Sequence, residues 1–283
     1  MKKYTPMIRQ YLEIKKDHED ALLFYRLGDF YELFFKDAEV ASQELNLVLT
    51  ARNNSDEKIP MCGVPHHASA SYIYRLASKG YKIAIVEQLE NPAEAEGIVK
   101  RGVVKIVTPG TIMDELSDQS ESIFIAGVHD YDYGYALCLN DMSSGKLISF
   151  NVEHDVDKLI ASLLNYNTKE VVVQKDLDQG LKRRLQFLNE MTVSEVETVE
   201  ILNESTPLYN HIDNQFNVEA IQLLLSYLHA TQMKALYHLR PVQLISNDGY
   251  LKLDYNALSN LELLETLQSK QVKHSLLGFL DHA

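Results

Sequence analysis

The sequence predicts an α/β fold divided between two folded units. Short runs of β-branched and aromatic residues alternate with helical stripes in both halves of the chain, which is the pattern of sheets covered by helices. A polar and acidic stretch at residues 115–121 separates the halves and is expected to be a linker. A chain of 283 residues is also long enough to form two hydrophobic cores.

The first half predicts a small mixed α/β domain. Thr5 followed by Pro6 is typical of a helix start, and this helix is expected to end near Asp17. Further helices are expected at 36–45 and 69–78, and the residue patterns predict strands at 22–26, 30–34, 47–51, 81–87 and 103–107. Gly80 suits a left-handed residue after a helix, and residues 53–56 predict a turn.

The second half predicts three hairpin-linked strands followed by alternating helices and strands. The expected positions are strands near 122–129, 133–140, 146–152 and 171–173, and helices at 155–166 and 178–188. This order resembles a ribonuclease-H-like α/β layer. An apolar stripe from Phe216 to Leu228 predicts another helix. A last helix is expected from Asp254, with Leu258, Leu261 and Leu264 on one side.

Composition and charge narrow the functional classes. With 46% hydrophobic and 24% charged residues, no long apolar run and no signal peptide, the chain is expected to be cytoplasmic. Cys62 and Cys138 are too far apart for a disulfide framework or a zinc site, and Cys62 is expected in a Pro/Gly-rich loop. Residues 1–110 carry 15 basic and 15 acidic side chains, so the net charge of −13 comes from the rest.

The most informative segment is residues 24–34, where a strand-like run meets a turn at Gly28 and Asp29. Period-two alternation after the turn places Phe30 and Glu32 on one face of a strand and Tyr31 on the other. An aromatic ring beside a carboxylate can form an apolar wedge beside a hydrogen-bonding group, and DNA-kinking proteins insert such wedges between base steps. A half-buried strand is the alternative that this pattern leaves open.

Several basic side chains are candidates for contacts with the phosphate groups of a nucleic acid. Lys100, Arg101 and Lys105 form the best cluster. Candidates of lower rank are Arg52, Arg75, Lys79 and Lys82. The alternative for each of them is an ordinary solvated surface charge.

Several motifs follow one another in a fixed order along the first 114 residues. They are residues 5–7 (TPM), 10–12 (QYL), 22–34 (LLFYRLGDFYELF), 49–52 (LTAR), 59–67 (IPMCGVPHH), 87–88 (EQ) and 108–111 (TPGT). Weaker similarity returns at 260–263 (NLEL), 275–277 (SLL) and 280–281 (LD). Together these motifs resemble the bacterial MutS family of DNA mismatch-repair proteins.

The resemblance implies a domain organisation. It places a mismatch-recognition domain at 1–114, a linker at 115–121, a connector domain at 122–253 and the start of a helical lever at 254–283. It also implies that the chain is the N-terminal portion of a longer protein. The pattern Gly-x-x-x-x-Gly-Lys-Ser/Thr is absent from this sequence. ATP and Mg are therefore implied for the full-length family member alone, and no enzyme activity is expected here.

The resemblance further implies site residues and partners. Phe30 matches the family's wedge and Glu32 its base-contacting residue, while His66 stands where Tyr is commoner. Supporting or DNA-backbone roles are expected for Leu27 (where Met is usual), Asp29, Arg52, Met61, Arg75, Lys100, Arg101 and Lys105. The implied partners are mismatched duplex DNA, a second copy of the chain in the full-length context and a MutL-type repair protein at the connector domain. A nucleoid-associated location without membrane contact follows.

Two other functions stay open at this point. The second unit could be a metal-dependent nuclease, because Asp130, Asp132 and Asp141 lie near predicted strand ends where two-metal sites are built. Turn carboxylates are the alternative explanation for these residues. The acidic second half also favours a protein-docking module without any DNA preference.

Overall fold

The computed structural model describes residues 4–54, 57–90, 97–112, 122–189, 191–233, 236–245, 255–267, 269 and 271–281. The chain divides into two compact units, Met1–Glu121 with Leu225–His238 and Ser122–Leu224 with Leu239–Ala283. Each unit contains a mixed sheet, which confirms the α/β class. The expected linker at 115–121 lies outside the described residues, and the finer domain boundaries stay a prediction.

The described elements of the first unit before residue 112 are α1 (Pro6–Asp17), β1 (Ala21–Leu27), β2 (Phe30–Phe34), α2 (Phe35–Leu45), β3 (Thr50–Asn54), β4 (Glu57–Pro65), a 3-10 turn (His66–Ala68), α3 (Ser69–Ala77), β5 (Lys82–Gln88) and β6 (Arg101–Val107). The six strands form one sheet with the order β3-β4-β2-β1-β5-β6. Strands β1 and β5 run parallel, and the other neighbouring pairs run antiparallel.

Both faces of this sheet carry a hydrophobic core. On the α2 face, side chains from α2 and α3 cover strand residues that include Phe24, Tyr31 and Leu33. On the opposite α1 face, Ile8 and Tyr11 of α1 cover strand residues that include Leu23, Tyr25 and Phe34. Because both faces are covered, the strands are constrained in register on each side.

The structure corrects two expectations for this sheet. The strand expected at 47–51 starts at Thr50 and continues to Asn54, where a turn had been expected. The segment expected to be a Pro/Gly-rich loop is strand β4, in which the Cys62 side chain is 2% exposed. The sequence did not predict this strand because Pro60 and Pro65 are uncommon residues within strands. They are accommodated because Pro60 lies beyond the residues that pair with β2 and Pro65 lies at the strand end.

A buried carboxylate joins the helices to the central strand of the first unit. Asp37 of α2 is 4% exposed and accepts hydrogen bonds from the Tyr11 hydroxyl (2.8 Å) and the Leu23 amide (3.0 Å). It also forms an ion pair with Lys15 Nζ at 2.9 Å. Strand β1 pairs with β2 from Tyr25 to Leu27, so Leu23 lies beyond this pairing, and the Asp37 carboxylate accepts the hydrogen bond of its amide.

The second sheet has the strand order β11-β10-β7-β8-β9-β12. The described elements beyond residue 122 are β7 (Phe124–Tyr131), β8 (Gly134–Asp141), β9 (Lys146–Glu153), α4 (Val156–Asn165), β10 (Thr168–Gln174), α5 (Gln179–Asn189), β11 (Thr192–Val196), a 3-10 helix (Asn203–Leu208), α6 (Gln215–Gln232), β12 (Gln243–Leu244), α7 (Tyr255–Asn260), a 3-10 turn (Val272–His274) and α8 (Leu276–Leu280). The antiparallel trio β7-β8-β9, with β10 parallel to β7, confirms the ribonuclease-H-like order. Strands β11 and β12 were not predicted.

The last predicted helix is shorter than expected. Helix α7 ends at Asn260, so Leu261 and Leu264 follow it and are 62% and 50% exposed. Glu262 has a left-handed backbone with φ of 48°, which interrupts any continuation of the helix. None of the helices in the described part of the chain is both long and apolar enough to cross a membrane.

The Asp37 interactions predict a large and local effect on stability. Asp37→Ala should lower the free energy of unfolding by about 3 kcal/mol, because it leaves the buried Tyr11 hydroxyl and Leu23 amide without their acceptor and removes the ion-pair partner of Lys15. The matched control is Asp20→Ala, because Asp20 pairs with Lys82 at 2.9 Å but its side chain is 69% exposed. That control should lose less than about 1 kcal/mol in urea denaturation. Equal losses for the two variants would contradict the role given to Asp37.

Candidate nucleic-acid interface

A tight hairpin between β1 and β2 presents the two residues of greatest interest. Leu27 pairs with Phe30, so Gly28 and Asp29 alone form the turn. Gly28 has φ of 57°, a left-handed conformation that glycine adopts without steric cost and that suits the first central position of a two-residue turn. The predicted turn is therefore confirmed, and it starts β2 at Phe30.

The side chains of β2 alternate as the sequence predicts. The Phe30 side chain is 47% exposed, whereas Tyr31 is 4% exposed and Phe34 is fully buried. Glu32 is partly buried and lies on the same face as Phe30. This face is the α1 face, so Phe30 and Phe34 share it while differing completely in exposure.

The Glu32 carboxylate is paired with a residue from β3. Arg52 Nη1 lies 2.9 Å from Glu32 Oε2 and donates a hydrogen bond to it. Burial raises the pKa of Glu32, while the Arg52 charge and hydrogen bond act in the opposite direction. Glu32 is therefore protonated more easily than an ordinary surface carboxylate, although the neighbouring Arg52 cation favours its charged form.

Gly63 allows a close approach of β4 to the backbone of β2 beside Glu32. Gly63 of β4 lies directly opposite Glu32 in the sheet. A Cβ atom at position 63 would lie 3.3 Å from the Tyr31 carbonyl oxygen and 3.6 Å from Glu32 Cγ. Sequence reasoning did not single out this residue, although it lies within the 59–67 motif.

The structure brings several other predicted residues to the same hairpin. Leu27 and Met61 are partly buried and pack against the core of the α1 face. Asp29 is exposed in the turn, where its carbonyl oxygen accepts a hydrogen bond from the His66 amide at 2.8 Å. We call Phe30, Glu32 and Arg52 the hairpin surface.

The expected basic cluster is not formed as one surface. Arg101 pairs with Gln88 and Lys105 pairs with Ile85, and a register shift lies between Ile85 and Val86. The irregularity reverses the alternation, so Arg101 and Lys105 lie on opposite faces of the sheet. Lys100 is exposed immediately before β6. Each of the three residues could still contact phosphates separately, and that role stays a prediction.

The Arg101 guanidinium group has contacts within the fold. Its Nε donates to the Arg26 carbonyl oxygen at 2.8 Å, and its Nη1 donates to the Val99 carbonyl oxygen at 2.9 Å. The group also lies 5.2 Å from the centroid of the Tyr25 ring. These contacts attach β6 to the centre of the sheet.

Among the lower-ranked basic residues, Arg52 is the one for which the described contacts include a partner in the hairpin surface. Arg75 is exposed on α3. Lys79 forms an ion pair with Glu44 at 2.7 Å, and Lys82 forms one with Asp20 at 2.9 Å. The charges of Lys79 and Lys82 are therefore partly compensated within the chain.

The three acidic residues suggested for a nuclease do not all lie together, because Asp141 is apart from the other two. Asp130 and Asp132 line a cavity of about 400 Å³ together with His154, Asp176 and Asp178. Asp141 pairs with Phe124 at the opposite end of β7 and accepts hydrogen bonds from the Ser143 and Ser144 hydroxyls. Within the described ranges, no three His, Cys, Asp or Glu side chains are grouped so that they could hold a metal ion.

Comparisons with known proteins agree with this architecture. The family models for MutS domain I and MutS domain II match residues 5–116 and 123–240. Similar curated proteins are the DNA mismatch repair protein MutS of Bacillus velezensis (44% identical over 283 residues), of Bacillus pumilus (43% over 282) and of Bacillus subtilis (44% over 280). The alignments include 98–99% of this chain and 32% of each relative, so the chain spans about a third of their length. The chain therefore belongs to the MutS family and contains regions that match both its domain I and its domain II.

Proposed function

We propose that the chain recognises mismatched or unpaired bases in duplex DNA at the start of mismatch repair. The observation that carries the proposal is the exposure of Phe30 at a tight hairpin, while its strand neighbours Tyr31, Leu33 and Phe34 are buried. An aromatic ring held out by a two-strand hairpin fits the wedges that DNA-kinking proteins insert. The mismatch-repair names of the MutS relatives support the same function.

Discrimination follows from how easily the DNA deforms. Inserting the Phe30 ring partly unstacks a base step, which costs roughly a few kcal/mol. A mismatched base has already lost part of its pairing energy, so displacing it costs less than displacing a paired base. Stacking on an aromatic ring returns about 1–3 kcal/mol for each base, and every base offers a face to stack. Phe30 therefore accepts many kinds of mismatch and kinks the duplex where it enters.

Glu32 supplies a hydrogen bond to the edge of the displaced base. A protonated carboxyl group can donate a hydrogen bond to a ring nitrogen, whereas a carboxylate can only accept hydrogen bonds. Burial already raises the pKa of Glu32 in the free chain. Nearby phosphates would raise the pKa further, because a like charge disfavours the carboxylate. Arg52 opposes both effects and holds the carboxyl group in place before DNA arrives.

The affinity for duplex DNA comes from phosphate contacts that carry no sequence information. Lys100 and Arg75 are exposed and suited to this role. We assign the same role to Lys105, which lies on the face of the sheet opposite to Arg101. A second copy of the chain, a MutL-type partner at the second unit and a nucleoid-associated location stay predictions. ATP and Mg stay predictions for the full-length family member, and no catalytic residue is assigned to this chain.

The wedge role of Phe30 is tested by two phenylalanines on the same face of the same strand. Phe30→Ala should reduce affinity for a mismatched duplex by about 5- to 150-fold, the equivalent of about 1–3 kcal/mol of stacking, and leave thermal stability nearly unchanged. Phe34→Ala, the matched control, should lose about 3–5 kcal/mol of stability because Phe34 is buried.

Binding by fluorescence anisotropy and thermal unfolding should be measured on the same preparations. A large fall in melting temperature with retained mismatch preference in Phe30→Ala would show that Phe30 is a core residue. A parent chain without any DNA preference would favour the protein-docking alternative.

The carboxyl role of Glu32 predicts a defined pH dependence. Binding to a mismatch should take up a proton, so affinity should fall as pH rises through the pKa of Glu32 in the complex. Glu32→Gln should remove this dependence and bind paired DNA about fivefold more tightly, because one charge repulsion near 4 Å in water is about 1 kcal/mol. Arg52→Gln removes a group that lowers the pKa of Glu32, so the pH at which affinity falls should move upward.

Titrations between pH 5.5 and 8.5 at constant ionic strength would measure these shifts. An affinity independent of pH in the parent chain, together with unchanged binding by Glu32→Gln, would remove the carboxyl role and leave the wedge alone.

A further inference from the structure

The back of the hairpin is crossed by a row of polar side chains from three neighbouring strands. Tyr31 of β2 pairs directly with Arg26 of β1. The parallel register of β1 and β5 aligns Tyr25 with Val86, so the next residues, Arg26 and Glu87, follow side by side. The Tyr31 hydroxyl reaches past Arg26 and donates a hydrogen bond to Glu87 Oε1.

His66 connects this row to the turn. Its ring centroid lies 5.3 Å from that of Tyr31, and its Nε2 lies 3.9 Å from Glu87 Oε1. Its backbone amide donates to the Asp29 carbonyl oxygen at 2.8 Å. One residue therefore contacts the turn with its backbone and the row of polar side chains with its ring.

The surroundings keep the Tyr31 hydroxyl a donor. Burial raises the pKa of the Tyr31 phenol, and the hydrogen bond to Glu87 raises it further, so the phenol stays protonated. The Arg26 guanidinium carbon lies 5.6 Å from the centroid of the Tyr31 ring. Arg26 Nη1 is buried and has no hydrogen-bond partner among the described residues, and the Tyr31 ring is the contact recorded for its guanidinium group.

We propose that Tyr31, Glu87 and His66 form a latch. The latch is a set of positioning residues that fixes the backbone of β2, so that Phe30 and Glu32 stay in the position from which they contact DNA. This inference rests on the proposed function. Phe30 and Glu32 are the two neighbours of Tyr31 in the strand, so a displacement of Tyr31 moves both. An aromatic ring that moves away under load cannot unstack a base step. By keeping Phe30 in place, the latch increases the ratio of mismatched to paired affinity.

The experiment compares four variants of the 283-residue chain with the parent. Tyr31→Phe removes the donor and keeps the ring, and Glu87→Ala removes the acceptor. Glu87→Gln keeps an amide oxygen that can accept from Tyr31, so it should rescue the latch. His67→Ala is the matched control, because His67 is exposed beside His66.

Two quantities report on the latch. The first is the exchange rate of the His66 amide, followed by nuclear magnetic resonance, which should rise about fivefold in Tyr31→Phe and Glu87→Ala when one hydrogen bond is lost. The second is the ratio of mismatched to paired affinity, which should fall about fivefold in the same two variants while paired affinity stays unchanged. Glu87→Gln and His67→Ala should keep the parent values of both.

The possible outcomes separate the latch from the proposed function. Parent values of both quantities in Tyr31→Phe and Glu87→Ala would overturn the latch while the mismatch preference stands. A lower melting temperature with an unchanged affinity ratio would show a merely structural role and would also overturn it. A parent chain without mismatch preference would contradict the proposed function. In that case, His66 amide exchange that is unchanged in Tyr31→Phe and Glu87→Ala would still overturn the latch independently.

Discussion

The arrangement of the first unit depends on the strict alternation of side chains along the short strand β2. Tyr31 and Leu33 enter the core of the α2 face, and Phe34 enters that of the α1 face. A slip of one residue would move every side chain of the strand to the other face, which would bury Phe30 and expose Tyr31. Pairing with β1 on one side and β4 on the other excludes such a slip. The exposed ring of Phe30 is thus a consequence of how its neighbours are buried.

Two phenylalanines show why position within the strand matters. Phe30 and Phe34 lie on the same face of β2, yet one is 47% exposed and the other is fully buried. Phe34 lies in edge contact with the Tyr11 ring of α1, with 5.1 Å between the ring centroids, whereas Phe30 lies at the turn. One aromatic ring is therefore part of the core, and the other is left exposed at the turn.

Local signals predicted much of this fold and site. Gly28 in a two-residue turn, Pro6 at a helix start and the alternation from Phe30 to Glu32 are determined by a few neighbouring residues. The prediction of a wedge role came from the family motif, because alternation alone favours a half-buried strand. Strand β4 was missed because Pro60 and Pro65 are uncommon in strands, and its pairing depends on residues distant in sequence. The register shift that separates Arg101 from Lys105 is likewise a property of the β5–β6 pair.

The most direct test of the account is to locate the residue that touches the mismatched base. A photoreactive 5-iodouracil placed in a thymine mismatch should crosslink to the chain on irradiation, and mass spectrometry of the digested product identifies the attached residue. The account predicts attachment at Phe30, with little crosslinking when the same base is correctly paired. Attachment within the second unit, or equal crosslinking of paired and mismatched duplexes, would contradict insertion of Phe30 at the mismatch.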